Sequence, residues 1–286
     1  MKSSPTYLSK GFFTFAQNTD KTNYVRLAYL QALSLKASQK HSLYAIGVTP
    51  NEKIPDKYKQ VFDYVIEVPW EDEAAGSVWK LENEWKALNM TPFDLTLKLD
   101  SDMLFFEDIS HWWYVLSHYD LVPATEVVDY RGEVSQCDFY RKEITLFNLP
   151  NFYSGLFYFR PSSRSAALFE VTRDVFENWD KYKNLYLPGY RSPQATTDIA
   201  FAIASKALDF HYPNKLLKFA HMKKFIQDIP NNNRLDARWH ISLKYYFNKN
   251  MQLFIENFKQ RYPVHYYSKD FATESLIAQY EKYLGI

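Results

Sequence analysis

The sequence predicts a doubly wound α/β fold with a mostly parallel sheet, on two observations. Residues 11–68 read strand, helix, strand, strand in short segments closed by polar turns and prolines. That order favours parallel pairing with right-handed crossovers. Further on, Leu95, Leu97 and Leu99 alternate with Thr96 and Lys98, which is strand periodicity, and this strand runs straight into Asp100 and Asp102. Open α/β sheets place ligands at the carboxyl ends of their strands.

The elements follow in order. Residues 11–16 form a first strand by their aromatic and β-branched content. Residues 17–20 are a polar turn, and Thr22 or Asn23 caps a helix over 24–37 whose apolar stripe is Tyr24, Leu27, Ala28, Leu30 and Leu35. Strands follow at 43–48 and 61–68, then a solvated acidic loop at 71–73. The spacing of Val78, Leu81, Trp85 and Leu88 predicts a helix over 77–88. A helix at 109–116 and a strand at 119–124 come after the carboxylates. Residues 127–150 lack periodicity, and a segment that long in a compact domain is usually functional or partly ordered. A buried strand is expected at 156–159 and a helix over 165–181 with Leu168, Val171, Val175 and Trp179 on one face. Thr197 and Asp198 open an Ala/Ile-rich helix. Two more strands are expected at 210–213 and 216–221, and a last helix over 273–284.

Composition bounds the chemistry. The 286 residues are 47% hydrophobic, enough for a sizeable core, and contain seven glycines, with no G-x-G-x-x-G or Walker pattern. A glycine-rich phosphate loop is therefore not expected. The single cysteine, Cys137, excludes an intramolecular disulfide framework and a Cys-rich zinc site. The N-terminus has no apolar run of signal-peptide type, and no stretch approaches the roughly 20 apolar residues of a membrane span. A soluble, cytoplasmic protein is the expectation, in the host cytoplasm if the source is viral.

Asp100 and Asp102 carry the main chemical signal. An Asp-x-Asp also occurs as a solvated loop or a helix cap. Here a Leu-rich strand precedes it and Met103 to Phe106 follow. Two carboxylates leaving water together repel one another, and a divalent cation neutralises both. Oxygen ligands suit Mg²⁺ or Mn²⁺.

This stretch resembles the Asp-x-Asp signature of glycosyltransferases with the GT-A fold. Tyr24-Val-Arg-Leu-Ala28, continuing through Ser34 and Leu35, is similar to the first helix of such enzymes. Asn151-Phe-Tyr-Ser-Gly-Leu-Phe-Tyr-Phe-Arg-Pro161 is similar to a strand of glycosyltransferase family 8, the glycogenin type. His221-Met-Lys-Lys224 resembles the family's C-terminal His and Lys motif, without its Gly and with a shorter spacing. These matches run in family order across most of residues 11–224.

The resemblance implies a single GT-A domain over residues 1–286. Its catalytic core spans 11–224, and its C-terminal extension, 225–286, is a candidate for binding the acceptor. It implies a metal-dependent transfer from a nucleotide-diphosphate sugar, a UDP-sugar, with Mn²⁺ or Mg²⁺ acting on the leaving diphosphate. Donor-nucleotide contacts are implied for Ala16, Asn18 and Tyr24. Asp100 faces the ribose, while Asp100, Asp102 and His221 hold the metal. His265, in Val264-His-Tyr-Tyr-Ser-Lys269, has a similar local pattern and is the rival ligand. Ser154 and Gly155 allow close approach of the sugar. The catalytic group comprises Lys80, reaching the donor sugar or diphosphate from the 77–88 helix, Lys223 on the diphosphate, and Asp198 on the acceptor or donor sugar. Asp198 stands with Thr197 where the family has an Asp–Gln or Asp–Glu pair. Family 8 resemblance favours retention of configuration; inversion requires a carboxylate base near the acceptor hydroxyl.

Two other classes bear weighing. A nucleotidyltransferase uses a similar sheet and metal but usually carries a Gly-rich N-terminal loop, which residues 11–24 lack. A non-catalytic nucleic-acid-binding protein is suggested by charge. Residues 1–40 carry six Lys/Arg against one acidic residue, 41–205 carry 15 against 25, and 206–270 carry 12 against five. Tyr245, Tyr246, Tyr262, Tyr266 and Tyr267 lie among the C-terminal cations, a pattern that suits stacking on bases beside phosphates. The aromatic-rich, Gly-poor composition also resembles a large lytic phage protein. Two acceptors therefore stand open: a glycan, and a hydroxymethylated base in double-stranded DNA that would have to be flipped out, with residues 127–150 as the wedge.

Overall fold

The computed structural model describes residues 8–74, 77, 80–135, 141–213, 215–223 and 238–286. The central sheet has six strands: β1 (Lys10–Phe15), β2 (Leu43–Val48), β3 (Tyr64–Glu67), β4 (Leu95–Leu99), β6 (Leu121–Ala124) and β8 (Tyr153–Phe159). Their order is β3-β2-β1-β4-β8-β6. Each pairing among β3, β2, β1 and β4 is parallel, while β8 runs antiparallel to both β4 and β6. The fold is thus a mixed α/β fold with a parallel-rich central sheet.

Alternate residues of β1 feed two cores. Phe12 packs into one with the helix α1 (Tyr24–Ser38) and the C-terminal helix Glu274–Leu284. Phe13 and Phe15 pack into the other, with the helices Ser163–Glu177 and Thr197–Ala207. Both faces of the sheet are covered, and the C-terminal helix packs on α1, which is buried at every residue from Leu27 to Leu35, well beyond the stripe its spacing predicts. For the same reason Thr96 and Lys98 are buried along with the leucines between them. Asn23 provides the cap of α1, accepting a hydrogen bond from Arg26 N at 2.8 Å.

Behind β4 a second, four-stranded sheet forms in the order β5-β13-β9-β7, from β5 (Met103–Leu104), β7 (Glu126–Val128), β9 (Lys218–His221) and β13 (Val264–His265). In it His265 pairs with Met103 on one side and His221 on the other. Tyr266 N also donates to Asp102 O at 3.1 Å. This sheet ties residues 264–266 to the chain just past the carboxylates. A small antiparallel sheet of Tyr245–Phe247, Leu253–Ile255 and Phe258–Lys259 completes the strands.

Several expectations need correction. No helix runs over 77–88: residues 80–83 are irregular, Glu84–Lys86 is a single 3₁₀ turn, and Ala87–Met90 is one short helical turn. Val78 lies outside the described residues. Residues 210–213 form no strand. The 165–181 helix breaks at Asn178 into Ser163–Glu177 and Trp179–Tyr186. The acidic loop is exposed at Glu71 and Glu73, as expected, but it is also engaged: Asp72 accepts from Asn83 Nδ2 and Gln17 Nε2, and Glu73 pairs with the buried Lys86. The C-terminal aromatic stripe is not one surface: Tyr266 is fully buried, and Trp239 Nε1 donates to its carbonyl at 2.9 Å. No helix among the described residues is long and apolar enough to cross a membrane.

Candidate active site

The parallel strands β1 and β4 end at an open cavity of about 640 Å³. β4 delivers Asp100 to its floor, and the antiparallel β8 brings Ser154 and Gly155 alongside, with Asp100 N donating to Gly155 O at 2.9 Å. The carboxylate turn is held from beneath by a side chain of α1. Gln31 Nε2 donates to Asp100 O at 2.6 Å and to Met103 O at 3.2 Å, while Tyr44 Oη donates to Gln31 Oε1 at 2.6 Å.

Ligand atoms of Asp100, Asp102 and His265 lie within 4.8 Å of one another. His265, the second of the two histidines considered, is the one next to the carboxylates: its Nε2 is 3.0 Å from Asp102 Oδ2. His221 also lines the cavity, its ring 5.2 Å from that of His265. Two carboxylates and an imidazole are a suitable donor set for Mn²⁺ or Mg²⁺. Among the described residues His265 Nδ1 is buried without a hydrogen-bond partner, an orphaned atom suited to a ligand. Gly155 leaves the necessary space, since a Cβ there would lie 3.0 Å from Asp100 Oδ2 and 3.6 Å from His265 Nδ1.

Two lysines neutralise the carboxylates. Lys98 is 1% exposed, and its Nζ lies 2.5 Å from Glu84 Oε2, 3.1 Å from Asp100 Oδ1 and 3.3 Å from Ser154 O. Burial pushes the Glu84 carboxyl up to about 7, with the Lys98 charge pulling the other way. Burial lowers the Lys98 ammonium, but Glu84 and Asp100 outweigh it and hold the group above its ordinary range. Lys269 pairs with Asp102. Burial would raise the Asp102 carboxyl, yet His265 and Lys269 hold it well below the usual carboxylate range. Burial likewise lowers His265, and the Asp102 charge more than compensates, so the imidazole titrates above its ordinary value.

Asp198 also lines the cavity and is clamped. Its Oδ1 accepts from Ser154 N at 2.8 Å and Ser154 Oγ at 2.7 Å, and its Oδ2 pairs with Arg141. Arg141 donates to Phe152 O at 2.9 Å and lies 3.7 Å over the Tyr153 ring. Thr196, not Thr197, caps the helix that carries Asp198. Of the other expected residues, Tyr24, Lys80 and Lys223 line the cavity. Lys80 lies on the irregular segment with φ +54°, and its Nζ donates to Ala74 O at 2.6 Å. Lys223 Nζ donates to Tyr267 Oη at 2.5 Å. Ala16 is buried, and its neighbours Phe15 and Gln17 face the cavity instead. Asn18 is engaged elsewhere, accepting from Val25 N and donating to Glu52. Lys224 is outside the described residues.

Lys98, Lys269, Arg141, Glu84 and Gln31 were not expected. Two signals were legible: Lys98, a lone charge inside a strand two residues before the first carboxylate, and Lys269, which closes the His265 pattern. The division at residue 224 does not separate the site from the extension, because His265 and Lys269 come from beyond it.

No protein-family model matches this sequence, and no curated protein matches it. The solved structures to which the chain is similar include three glycosyltransferases. One is GlyE of Streptococcus pneumoniae, at 12% identity, covering 72% of this chain and 45% of that one with a TM-score of 0.41. Another is the galactosyltransferase LgtC, solved with donor and acceptor sugar analogues, at 14% identity, 69% and 70% coverage and a TM-score of 0.44. The third is mouse xyloside xylosyltransferase 1, at 12% identity, 77% and 90% coverage and a TM-score of 0.48. The chain spans under half the length of GlyE.

Proposed function

We propose that the protein is a GT-A glycosyltransferase that moves a sugar from a nucleotide-diphosphate sugar, a UDP-sugar, to a hydroxyl of an acceptor glycan. The observation that carries this reading is the convergence of Asp100, Asp102 and His265 beside the cavity at the strand ends. The cavity volume falls in the range of roughly 300–1,000 Å³ usual for small-molecule sites. Mn²⁺ or Mg²⁺, bound by these three residues, supplies Lewis acidity to a leaving diphosphate. Lys269 and Lys223 add positive charge where the diphosphate develops its negative charge. Tyr24 offers an aromatic face near Asp100 for the nucleoside. Ser154, Asp198 and Arg141 form a hydrogen-bonded wall against which the transferred sugar is oriented. A glycan acceptor is preferred to a DNA base because the burial of Tyr266 removes a member of the aromatic stripe that suggested nucleic acid.

A screen of nucleotide sugars for hydrolysis, with and without Mn²⁺, tests the reading. The expected result is release of nucleoside diphosphate from at least one UDP-sugar, stimulated by Mn²⁺. No release from any nucleotide sugar, together with no binding of UDP in the presence of Mn²⁺, overturns it.

A further inference from the structure

The two lysines at the carboxylates are held differently. Lys98 is sealed in the sheet by Glu84, Asp100 and the Ser154 carbonyl. Lys269 stands in the cavity wall with its side chain 34% exposed, and its ammonium bonds Asp102 Oδ2, the same oxygen that His265 Nε2 approaches at 3.0 Å. The rings of Tyr24 and Tyr267 lie 5.6 Å and 5.7 Å from Lys269 Nζ. Tyr267 takes a left-handed φ of +59°, an uncommon conformation for a bulky residue, in the turn between His265 and Lys269. A cation that takes both Asp102 and His265 as ligands therefore meets an ammonium already on one of its donor oxygens.

We infer that Lys269 is an exchangeable counter-ion, holding Asp102 until a divalent cation displaces it and then turning to the anionic nucleotide. This role rests on the proposed metal-dependent reading. Like charges sharing one oxygen repel, so cation binding is weakened by the ammonium that must leave. The lysine is a point charge on a flexible four-carbon stem and can turn into the cavity without any backbone movement. There its charge is available to a diphosphate. A nucleotide that captures the ammonium stabilises the cation-bound arrangement, so each ligand strengthens the binding of the other. Lys98 has no such freedom, since leaving Asp100 would also strand Glu84.

The test is Mn²⁺ titration followed by the electron paramagnetic resonance signal of the free ion, without and with saturating UDP. Wild type is compared with Lys269→Met, Lys269→Gln, Lys269→Arg and Lys57→Met, each checked by a melting curve. Lys57 pairs with Glu281 outside the cavity and serves as the control for loss of one positive charge. Without UDP, the Met and Gln variants should bind Mn²⁺ about tenfold more tightly than wild type, while Lys269→Arg and Lys57→Met stay close to it. UDP should tighten Mn²⁺ binding of wild type about tenfold and that of the Met and Gln variants less than threefold. Unchanged or weaker Mn²⁺ binding in both neutral variants, or undiminished coupling to UDP, overturns the role of Lys269 while leaving the metal site standing. A wild-type protein that binds no Mn²⁺ under either condition overturns the metal reading itself.

Discussion

Lys98 Nζ lies 3.1 Å from Asp100 Oδ1, inside a strand where the lysine is 1% exposed. One buried ammonium therefore sits between Asp100 and Glu84, and its removal leaves two carboxylates facing each other. Lys98→Met should destabilise the fold by about 3–5 kcal/mol at pH 8, as expected for breaking a buried pair. Glu84, already pushed up to about 7, takes a proton more readily once the ammonium is gone. The cost should therefore shrink toward pH 5. Melting temperatures of both proteins across that range check this, and a penalty independent of pH contradicts it.

Gly155 bears on the proposed metal site through what it lacks. Its backbone is in ordinary strand conformation, so Gly155→Ala brings no conformational strain. The new methyl would stand 3.0 Å from Asp100 Oδ2. We expect Mn²⁺ affinity to fall by about tenfold, roughly 1.4 kcal/mol, with a melting temperature near wild type. Calorimetric titration with Mn²⁺ decides it.

His265 sets a pH dependence. Its folded value is raised above 6.5, so the stabilisation its imidazolium gains from Asp102 is complete below pH 6.5 and is lost as pH rises through the folded value. The stability difference between wild type and His265→Gln should follow that course. Mn²⁺ requires the neutral imidazole, so its affinity should move oppositely, rising by up to about tenfold per pH unit over the same window. A flat Mn²⁺ affinity from pH 6 to 8 would remove His265 from the ligand set.

Asp198 has both oxygens engaged by Ser154 and Arg141. Asp198→Asn weakens the pairing of an arginine that is 6% exposed. Because the carboxylate is a third exposed, the loss should be modest, about 1–2 kcal/mol. Turnover should fall further than stability does, since the wall proposed to orient the sugar loosens. Steady-state kinetics beside urea melts separate the two effects.

Much of the fold was legible because its strands are short apolar runs closed by turns, as at Leu43–Val48. The carboxylates were legible because charge at the end of a Leu-rich strand is costly and needs a reason. Sheet coverage was harder to see. Thr96 and Lys98 occupy the polar positions of an alternating strand, yet both are buried, because helices pack on either face. Lys98 and Glu84 belong to a buried network whose members are 14 residues apart, and spacing along a chain does not reveal such partners. His265 was legible as a candidate from its local His-to-Lys pattern, but that pattern did not decide between it and His221. His265 and Lys269 reach Asp102 through a two-residue strand pairing with Met103 and Leu104, too short to leave a periodic signal. The helix predicted over 77–88 failed where Lys80 adopts a left-handed conformation and its ammonium binds the Ala74 carbonyl, a local bond that competes with helix.

The central claim is that Asp100, Asp102 and His265 hold a divalent cation for nucleotide-sugar chemistry. Mn²⁺-stimulated hydrolysis of a UDP-sugar by wild type and Asp102→Asn tests it most directly. The account predicts that the variant still folds, with a melting temperature lowered by the loss of the buried pairing to His265 and Lys269, and loses at least about a hundredfold in Mn²⁺-stimulated rate at a temperature where both proteins are folded, on the order of 2.7 kcal/mol of transition-state stabilisation. An Asp102→Asn protein with full Mn²⁺-stimulated activity would contradict it.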